Sequence, residues 1–563
     1  MIDVVESLAG AAESTLVFNP LIGLRGRDVA TAAGSLIRAV VMSPRAAIKS
    51  IRWGVKELRT VVAGASEAAP DPKDRRFADP AWRSNFLSRR LMQAHCVTQK
   101  GLAGFIDRSS LDARGKKRAH FFASLVTDAL APSNWLLVNP VALRKAVATR
   151  GGSLVTGARN MVHDIRHNHM MPAQVDPTPF KLGVNLATTR GQVVYRSQMF
   201  ELIEYAPTRE RVHARPLVMS PPQINKFYAV DLAPEKSLIK WAVDSGVQLF
   251  VISWRNPTAD QGHWGLEEYA TALDEAVDVA RRITGSPDVN MWGSCAGGMT
   301  LAAYLGWLAA RGERKVRHTT WAVCVLDTEA AMDDSSLGLF VTPGAIRATK
   351  ARSRRQGVIT GKEMARMFAW LRPNDLVWNY WVNNYLLGNQ PPAFDILFWN
   401  SDTTRLPGQF HCDLLELFET NPYAKAGSLS IGGLPIDLQR VKVGAYVIGG
   451  ITDHLTPWRA CYGTARLLGA DATFVLANAG HLQSLVNPPG SSKSFFFAAP
   501  ADVADPDEWA RKARPNRVEG SWWPHWRAWI KERSGDLVDA PKEAGGGEYE
   551  PLEAAPGSYV REE

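Results

Sequence analysis

The sequence contains no run of about 18 uncharged apolar residues, the length that a membrane-spanning helix requires. Its first residues, MIDVVESLAGAAES, include acidic side chains where a secretory signal peptide has a basic segment. We therefore expect no transmembrane segment and a soluble, cytoplasmic protein.

Cysteine is scarce, with five among 563 residues, and no two of them form a CxxC pair. This excludes a disulfide framework and the usual structural zinc motifs, so reduced thiols are expected. His163, His167 and His169 form a histidine cluster, but no cysteine or carboxylate set accompanies them at ligand spacing. We predict no metal ion and no cofactor. The cysteines are Cys96, Cys295, Cys324, Cys412 and Cys461.

Charge of one sign is not concentrated anywhere, since 65 Lys and Arg against 56 Asp and Glu leave a net charge of +9 over the whole chain. Nucleic-acid-binding domains concentrate their basic residues, so we predict no nucleic-acid partner. The chain is 46% hydrophobic, which excludes general disorder, collagen and coiled coil. At about 150 residues per domain, the length corresponds to roughly three to four domains. It is therefore long enough for one large enzyme-sized core.

Residues 1–172 show a helical pattern and are predicted to form a helical N-terminal domain. Between Pro44 and Val62, apolar and basic residues each recur at intervals of three and four on neighbouring faces, which predicts a basic amphipathic helix. Such a helix either docks on its own domain with a solvated charged flank, or binds an anionic lipid or hydrophobic particle surface. The positions are Ile48, Ile51, Val55, Leu58 and Val62, and Arg45, Lys49, Arg52, Lys56 and Arg59.

Residues 173–537 alternate short apolar runs with helical segments, which predicts an α/β fold with a mostly parallel sheet. The interval 328–438 interrupts this alternation with sequence rich in aromatic residues, Asn and Pro, and is interpreted as a cap. Residues 538–563, rich in Gly, Pro and Glu, are expected to form a flexible tail. The predicted strands are Pro216–Ser220, Val247–Trp254, Val289–Gly293, Thr320–Asp327, Val443–Gly449 and Ala472–Ala477.

The strongest local signal is GSCAGG, which starts at Gly293 directly after a predicted strand and directly before a helical segment. This is the nucleophile-elbow pattern, with Cys295 as the nucleophile. Glycine is needed because a sharp strand-to-helix turn leaves no room for side chains, and the helix N-terminus favours a thiolate. The alternative is a structural cysteine buried in a tight turn.

An elbow nucleophile needs a base and an acid, which follow it in the chain on loops after the last strands. Asp453 follows one predicted strand in GGITDHLTPW, and His481 follows the next in ANAGHLQSL. We predict Asp453 as the acid and His481 as the base. His454 and Asp327 are the competing choices.

An oxyanion also requires two backbone N–H donors. Ala296, the residue after the nucleophile, is predicted to supply one, and the loop after Pro216–Ser220 the other. That loop begins with two prolines, which have no N–H, so its donor must be Gln223 or Ile224.

Unusual segments along nearly the whole chain resemble the poly(3-hydroxyalkanoate) synthases. They are NPLIGLRGRD, RRFADPAW, PPQINKFYAVDLAP, VISWRNP, GSCAGG, LRPND, WNYWVNNYLLGN, FWNSDTTRLPGQFH, TDHLTPW and GHLQSLVNPPG. The resemblance implies an α/β-hydrolase fold with a cap insertion and a single-subunit enzyme closer to class II than to class I. It also implies that Cys295 carries the acyl group, with Asp453 as acid and His481 as base.

The implied activity joins (R)-3-hydroxyacyl-CoA monomers into polyester with release of CoA. The implied partners are the growing polyester, the polymer granule surface and a second copy of the chain in a homodimer. The expected location is the cytoplasm, in association with granules. Two other classes remain: a thioesterase or lipase-like hydrolase, which uses water as acceptor, and a granule-coat protein, which needs no nucleophile, acid and base in order.

Overall fold

The computed structural model describes residues 43–168, 171–332, 335, 343–469 and 471–563. Backbone contacts divide the chain into two compact units: the described residues up to 178 with 364–394, and residues 179–363 with 395–563. The interval 328–438 is therefore not one compact insertion, because its middle part packs with the helical residues. Among the described residues, no helix has the length and apolar character needed to cross a membrane.

The N-terminal segment of the first unit is helical, in agreement with the periodicity of the sequence. Polar residues at the preceding position start several of these helices; the Asn85 side chain, for example, accepts a hydrogen bond from the Ser88 N–H at 2.9 Å. The helices are Pro44–Ala63, Ala81–Ser84, Phe86–Arg108, Ala113–Ala129, Pro140–Ala148 and Gly152–His167. The motif NPLIGLRGRD lies outside the described residues.

Residues 364–394 complete the first unit and contain the aromatic WNYWVNNYLLGN motif. They include most of the helix Gly361–Leu371 and, after it, two turns of π-helix, Asn374–Trp378 and Trp381–Leu386. The Tyr385 hydroxyl donates to the buried carboxylate of Asp164 at 2.8 Å. The motif's polar and aromatic side chains thus hold the first unit together.

The helix Pro44–Ala63 begins at the predicted residue and ends one residue later than predicted, but its predicted apolar face is not buried. Its buried residues are instead Ala47, Ser50 and Val61, with Ala47 in a cluster with Phe105 and Ile106. The apolar positions remain exposed, for example Ile51 at 62% and Val62 at 71%. The helix therefore docks on its own unit, which is the first predicted alternative, and it also leaves an apolar and basic surface in solvent. Binding of that surface to an anionic lipid or a hydrophobic particle stays a prediction.

The second unit is built on an 11-stranded sheet. In chain order the strands are β1 Gly191–Arg196, β2 Phe200–Tyr205, β3 Leu217–Ser220, β4 Leu249–Trp254, β5 Val289–Ser294, β6 Val316–Ala322, β7 Gly444–Gly450, β8 Ala472–Ala477, β9 Phe495–Pro500, β10 Val518–Glu519 and β11 Glu553–Ala554. Their order in the sheet is β10-β9-β8-β7-β6-β5-β3-β4-β2-β1-β11. Strands β3 to β8 pair in parallel with one another, and all other pairs are antiparallel.

The six predicted strands are the parallel core, β3 to β8, and all but β6 lie within two residues of the prediction. The predicted bounds of β6, Thr320–Asp327, are wrong, because the strand is Val316–Ala322 and begins four residues earlier. Parallel strands are covered on both faces and read as short apolar runs, whereas antiparallel strands such as β1 and β2 mix polar and apolar residues. Strand β9, FFFAAP, is an apolar run and was nevertheless not predicted. The five antiparallel strands outside the parallel core, β1, β2, β9, β10 and β11, were not predicted.

Helices and shorter ladders complete the second unit. The ladders pair Arg211–His213 with Leu537–Asp539, Val358–Ile359 with Leu406–Pro407, and Ser430–Ile431 with Leu434–Pro435. The helices are Leu238–Asp244, Leu266–Thr284, Cys295–Arg311, Thr328–Met332, Pro343–Gln356, Asp395–Ser401, Gly408–Thr420, Trp458–Leu468, His481–Leu485, Pro506–Ala513 and Trp523–Lys531.

The C-terminal residues differ from the flexible tail that their composition predicts. Strand β11 extends the main sheet by pairing with β1. Beyond it, the fully buried carboxylate of Glu201 accepts hydrogen bonds from the N–H groups of Ser558 at 3.1 Å and Tyr559 at 3.0 Å. A low apolar content excludes a core of its own, but these backbone bonds to β1 and Glu201 hold the segment in place.

Candidate active site

Strand β5 ends and the helix Cys295–Arg311 begins in the predicted sharp turn. Cys295 has a φ of +47°, a left-handed conformation that is unusual for a residue with a side chain. A Cβ on Gly293 would lie 2.7 Å from the Cα of Gly298, and one on Gly297 would lie 2.4 Å from the carbonyl oxygen of Ser220. The glycines are therefore required by close backbone approach, as the motif predicts.

Cys295 differs from the other four cysteines in its exposure, because it is partly exposed and they are buried. It sits at the N-terminus of the 17-residue helix, where backbone N–H groups favour a negative charge. Burial raises the pKa of the thiols of Cys96, Cys324, Cys412 and Cys461. Only Cys295 therefore has the setting of a reactive thiol.

Asp453 and His481 lie on the loops after β7 and β8, which are adjacent parallel strands. The two loops are joined by a backbone hydrogen bond from the Thr452 N–H to the Ala479 carbonyl at 3.1 Å. Nδ1 of His481 is 2.7 Å from Oδ2 of Asp453. The structure thus brings the predicted acid and base into direct contact.

The electrostatics of the pair couple it to Cys295. Burial alone would lower the pKa of His481, but the Asp453 carboxylate and a hydrogen bond with the Cys295 side chain raise that pKa to about 10. For Asp453 the effect of burial has the opposite sign and would raise the pKa, but His481 and Thr456 hold that pKa below its ordinary value. Because Nδ1 of His481 faces Asp453, Nε2 is the ring nitrogen that is left to interact with Cys295.

Thr456 is a further member of this cluster that the sequence analysis missed. Its hydroxyl lies 2.7 Å from Oδ2 of Asp453 and 3.1 Å from Nδ1 of His481. The N–H groups of Leu455 and Thr456 donate to Oδ1 of Asp453 at 2.9 and 3.0 Å. An Asp followed three residues later by Thr is a common turn pattern, and TDHLT contained that signal.

Asp327, one competing choice for the acid, is engaged elsewhere: its Oδ1 accepts a hydrogen bond from Nδ2 of Asn421 at 2.9 Å. His454 is adjacent to Asp453 in the chain, but the Asp453 carboxylate pairs with His481. The rings of His163 and His167 stack at 4.5 Å, and His169 lies outside the described residues. Over the described ranges, no three His, Cys or acidic side chains are grouped in a way that could hold a metal ion.

The predicted oxyanion loop lies beside the elbow. A Cβ on Gly297 would be 2.6 Å from the Pro221 carbonyl oxygen, so the start of the loop abuts the helix that begins at Cys295. Gln223 is buried and its Nε2 donates to the Thr300 hydroxyl of the same helix at 3.1 Å. Ile224 is partly exposed. The assignment of Ala296 with Gln223 or Ile224 as oxyanion donors stays a prediction.

Two family models match the chain. One is described as the N-terminus of poly-beta-hydroxybutyrate polymerase (PhaC) and matches residues 73–242; the other is the alpha/beta hydrolase fold and matches residues 225–488. The chain is 48% identical over 552 residues to poly(3-hydroxyalkanoate) polymerase 1 of Ectopseudomonas oleovorans, covering 98% of both chains. The chain belongs to the poly(3-hydroxyalkanoate) polymerases.

Other polymerases of this family show a graded similarity. Polymerase 2 of the same organism is 46% identical, covering 98% of this chain and 97% of the relative. The polymerase subunit PhaC of Cupriavidus necator is 38% identical, covering 89% of this chain and 85% of the relative. The predicted family, its class II character and the α/β-hydrolase fold are confirmed.

Trp292, beside the elbow in this polymerase, belongs to the core of the second unit. It is 1% exposed, and its Nε1 donates to the Ser294 hydroxyl at 2.7 Å. Its ring stacks on Trp522 at 6.1 Å and meets Trp526 edge-on at 5.4 Å. Nε1 of Trp522 donates in turn to the carbonyl of Ser484, in the helix that begins at His481. This aromatic core therefore supports both the elbow and the histidine loop.

Proposed function

We propose that this chain polymerises (R)-3-hydroxyacyl-CoA through an acyl-enzyme on Cys295, with His481 as base and Asp453 as its partner. Membership of the polymerase family supports the overall reaction. The observation that supports the assignment of residues is the 2.7 Å contact between His481 and Asp453, together with the raised pKa of His481, to which the Cys295 side chain contributes. Asp453 fixes the tautomer and orientation of the imidazole and stabilises its protonated form.

Acylation exchanges one thioester for another. Because the pKa of His481 is raised to about 10, the imidazole holds the thiol proton of Cys295 at neutral pH, and Sγ attacks the acyl carbonyl carbon of the hydroxyacyl-CoA. The new S–C bond forms as the bond to the CoA sulfur breaks. The CoA thiolate takes the proton from the imidazolium and leaves as free CoA. Because both bonds are thioesters, the activation of the acyl group is kept.

Elongation uses the same base. The 3-hydroxyl of the next monomer gives its proton to Nε2 of His481, and its oxygen attacks the thioester carbonyl on Cys295. An oxoester forms and the bond to Sγ breaks, so the chain is now attached to the incoming CoA. The proton returns to the Cys295 sulfur. A second acylation moves the lengthened chain to Cys295 and releases CoA.

A hydrolase that uses the same elbow would differ only in its acceptor, which would be water. In that case each acyl group would be released as a free hydroxy acid. Exclusion of water is thus a requirement of polymer growth rather than of acylation.

The exposed surface of the helix Pro44–Ala63 supports association with a polymer granule. We define the granule face as its exposed apolar residues and the neighbouring basic ones: Ile48, Ile51, Val55, Leu58, Val62, Arg45, Lys49, Arg52, Lys56 and Arg59. An apolar stripe flanked by basic side chains suits a hydrophobic particle coated with anionic amphiphiles. Localisation at granules in the cytoplasm, and a homodimer, complete the proposal.

The polymerase and hydrolase reactions separate in one experiment. Purified protein is given (R)-3-hydroxyacyl-CoAs of several chain lengths, and free CoA, free hydroxy acid and polymer are measured together. We expect CoA release matched by polymer, with little free hydroxy acid. Free hydroxy acid equal to the released CoA would overturn the polymerase assignment. Absence of both would leave a granule-coat role.

A further inference from the structure

The loop 221–226, which follows β3, is held at both ends by tryptophan side chains of the second unit. Nε1 of Trp254, at the end of β4, donates to the Pro221 carbonyl at 2.8 Å. Nε1 of Trp399 donates to the Lys226 carbonyl, also at 2.8 Å. The backbone between these two points carries the predicted second oxyanion donor.

Thr404 contacts the middle of this loop. Its hydroxyl lies 3.3 Å from the carbonyl oxygen of Gln223 and 3.0 Å from that of Ile224, with the single hydroxyl hydrogen shared between them. Thr404 is 7% exposed, so little solvent competes for these carbonyls. The two consecutive carbonyls therefore point toward one side chain.

A second contact keeps Thr404 beside the loop. Nζ of Lys226 pairs with the carboxylate of Asp402 at 2.6 Å, and the Tyr228 hydroxyl donates to the same carboxylate at 2.7 Å. Lys226 is 5% exposed on its side chain, so this is a buried ion pair with a hydrogen-bonded partner. The position of Thr404 is thus fixed independently of its own hydroxyl.

The direction of a carbonyl fixes the direction of the N–H in the same peptide. In a planar trans peptide the C=O and the following N–H point in opposite directions. Because the Gln223 carbonyl points to Thr404, the N–H of Ile224 points away from Thr404. Ile224 is also the more exposed of the two predicted donors, whereas Gln223 is buried against Thr300.

We propose that Thr404 is a positioning residue that aims the N–H of Ile224 at the oxyanion formed during acylation of Cys295. This rests on the proposed function, in which the thioester carbonyl becomes an oxyanion beside the elbow. Without the hydroxyl, the peptide between Gln223 and Ile224 loses the group that orients its carbonyl, and the N–H no longer has a fixed direction.

Two reactions of the same cysteine test the proposal. Acylation by a hydroxyacyl-CoA develops an oxyanion, whereas alkylation by iodoacetamide forms an S–C bond, expels iodide and develops none. Cys295 is the only partly exposed cysteine of the chain, so alkylation reports on it, and Cys295→Ala supplies the blank. Both rates are measured for the wild type, Thr404→Val, Thr404→Ala and Thr404→Ser.

We expect Thr404→Val and Thr404→Ala to slow acylation by about 10- to 100-fold, less than the loss of a whole oxyanion donor, with alkylation unchanged. Thr404→Ser keeps the hydroxyl and is expected to restore most of the acylation rate. Trp399→Phe is the matched control, because it removes a hydrogen bond to the same loop at Lys226, away from the Ile224 peptide. Its ratio of the two rates is expected to match the wild type.

Equal slowing of both reactions by Thr404→Val and Thr404→Ala would overturn the proposal, as would no slowing of acylation. The same selective loss in Trp399→Phe, or failure of Thr404→Ser to recover, would assign the effect to general loosening of the loop. Failure of the proposed function would give a different result. Cys295→Ala would then still release CoA from the hydroxyacyl-CoA, whatever residue stands at position 404.

Discussion

Nδ1 of His481 lies 2.7 Å from Oδ2 of Asp453, on a carboxylate whose side chain is fully buried. This pair leaves Nε2 as the only ring nitrogen of His481 that can exchange a proton with Cys295 or with substrate. The hydroxyl of Thr456 lies within hydrogen-bonding distance of both partners.

The first prediction separates the roles of the two residues. Asp453→Asn keeps a base but loses the charge that stabilises the imidazolium, and the helix N-terminus still favours the thiolate. We expect a small burst of CoA and a short covalent acyl-enzyme, with polymer formation slowed by about 10²- to 10⁴-fold, the range of general acid–base catalysis. His481→Gln is expected to show almost no burst. Rapid-quench assays and intact mass spectrometry measure both.

Equal loss of acylation and elongation in Asp453→Asn would contradict this division of roles. Thr456→Val provides a comparison, because it removes a neighbour of both residues but leaves the charge. A milder loss is expected there than in Asp453→Asn.

The second prediction concerns stability and pH. The pKa of His481 is raised from 6.5 to about 10, so its contribution to folding is complete below pH 6.5 and is lost as the pH rises toward 10. The pKa of Asp453 is lowered, so its contribution is present above its ordinary value of 3.8 and is lost as the pH falls through its folded-state pKa. Both contributions are present between pH 3.8 and pH 6.5, so the difference in Tm between wild type and Asp453→Asn should be largest there and should decrease toward pH 10.

Thermal unfolding followed by circular dichroism across this range measures that difference. A Tm difference that grows as the pH rises from neutral toward 10 would contradict the raised pKa of His481. His481→Gln is expected to remove the dependence on alkaline pH.

The third prediction concerns the nucleophile. Cys295→Ala should abolish both CoA release and polymer, because no acyl-enzyme can form. Cys295→Ser should also be nearly inactive, because a serine alkoxide is harder to generate and its ester is a poorer acyl donor than a thioester. Cys324→Ala is a suitable control, since that buried thiol lies close to the elbow and has a raised pKa. Substantial polymer from Cys295→Ala would refute the assignment.

The sequence predicted the parallel core and the cluster of Cys295, Asp453 and His481, because buried strands and the elbow each leave a dense local pattern. Thr456 and Thr404 were missed since their roles depend on loops brought together from distant parts of the chain. The edge strand β11 was missed because its stability comes from pairing with β1 rather than from its own composition. Local sequence patterns thus predict helices, strands and the nucleophile elbow. Contacts between distant segments determine which further residues join the site and which strands pair.

The helix Pro44–Ala63 illustrates the same limit. Its periodicity predicted the helix and its faces, but periodicity does not tell which face a neighbouring helix covers. Small residues such as Ala47 and Ser50 allow a close approach to the helix Phe86–Arg108, and Nη2 of Arg108 donates to the Ser50 hydroxyl at 2.9 Å. Of the larger apolar residues, Val61 is buried, whereas those of the predicted apolar face, such as Ile51 and Val62, remain in solvent.

The last prediction tests the granule face. Reversing Arg45, Lys49, Arg52 and Lys56 to Glu should weaken binding to anionic vesicles and to isolated granules, because each basic residue near an anionic surface contributes about 1 kcal/mol. The initial rate with soluble substrate should change much less, because these residues lie on the first unit and the candidate site lies on the second. Partitioning in sedimentation assays and initial CoA release measure the two effects. Added salt should reproduce part of the loss in the wild type.

A control with the same change in net charge isolates the surface from the charge of the protein. Arg511, Lys512, Arg514 and Arg517 are exposed on the second unit and can be reversed to Glu in the same way. Equal weakening by both quadruple variants would show that only net charge matters. A third variant, Ile51→Ser with Val55→Ser, retains every basic residue but removes apolar contact, so it should lower binding at high salt, where the basic residues contribute least. Unchanged partitioning in all three would leave the helix as a purely structural element of the first unit.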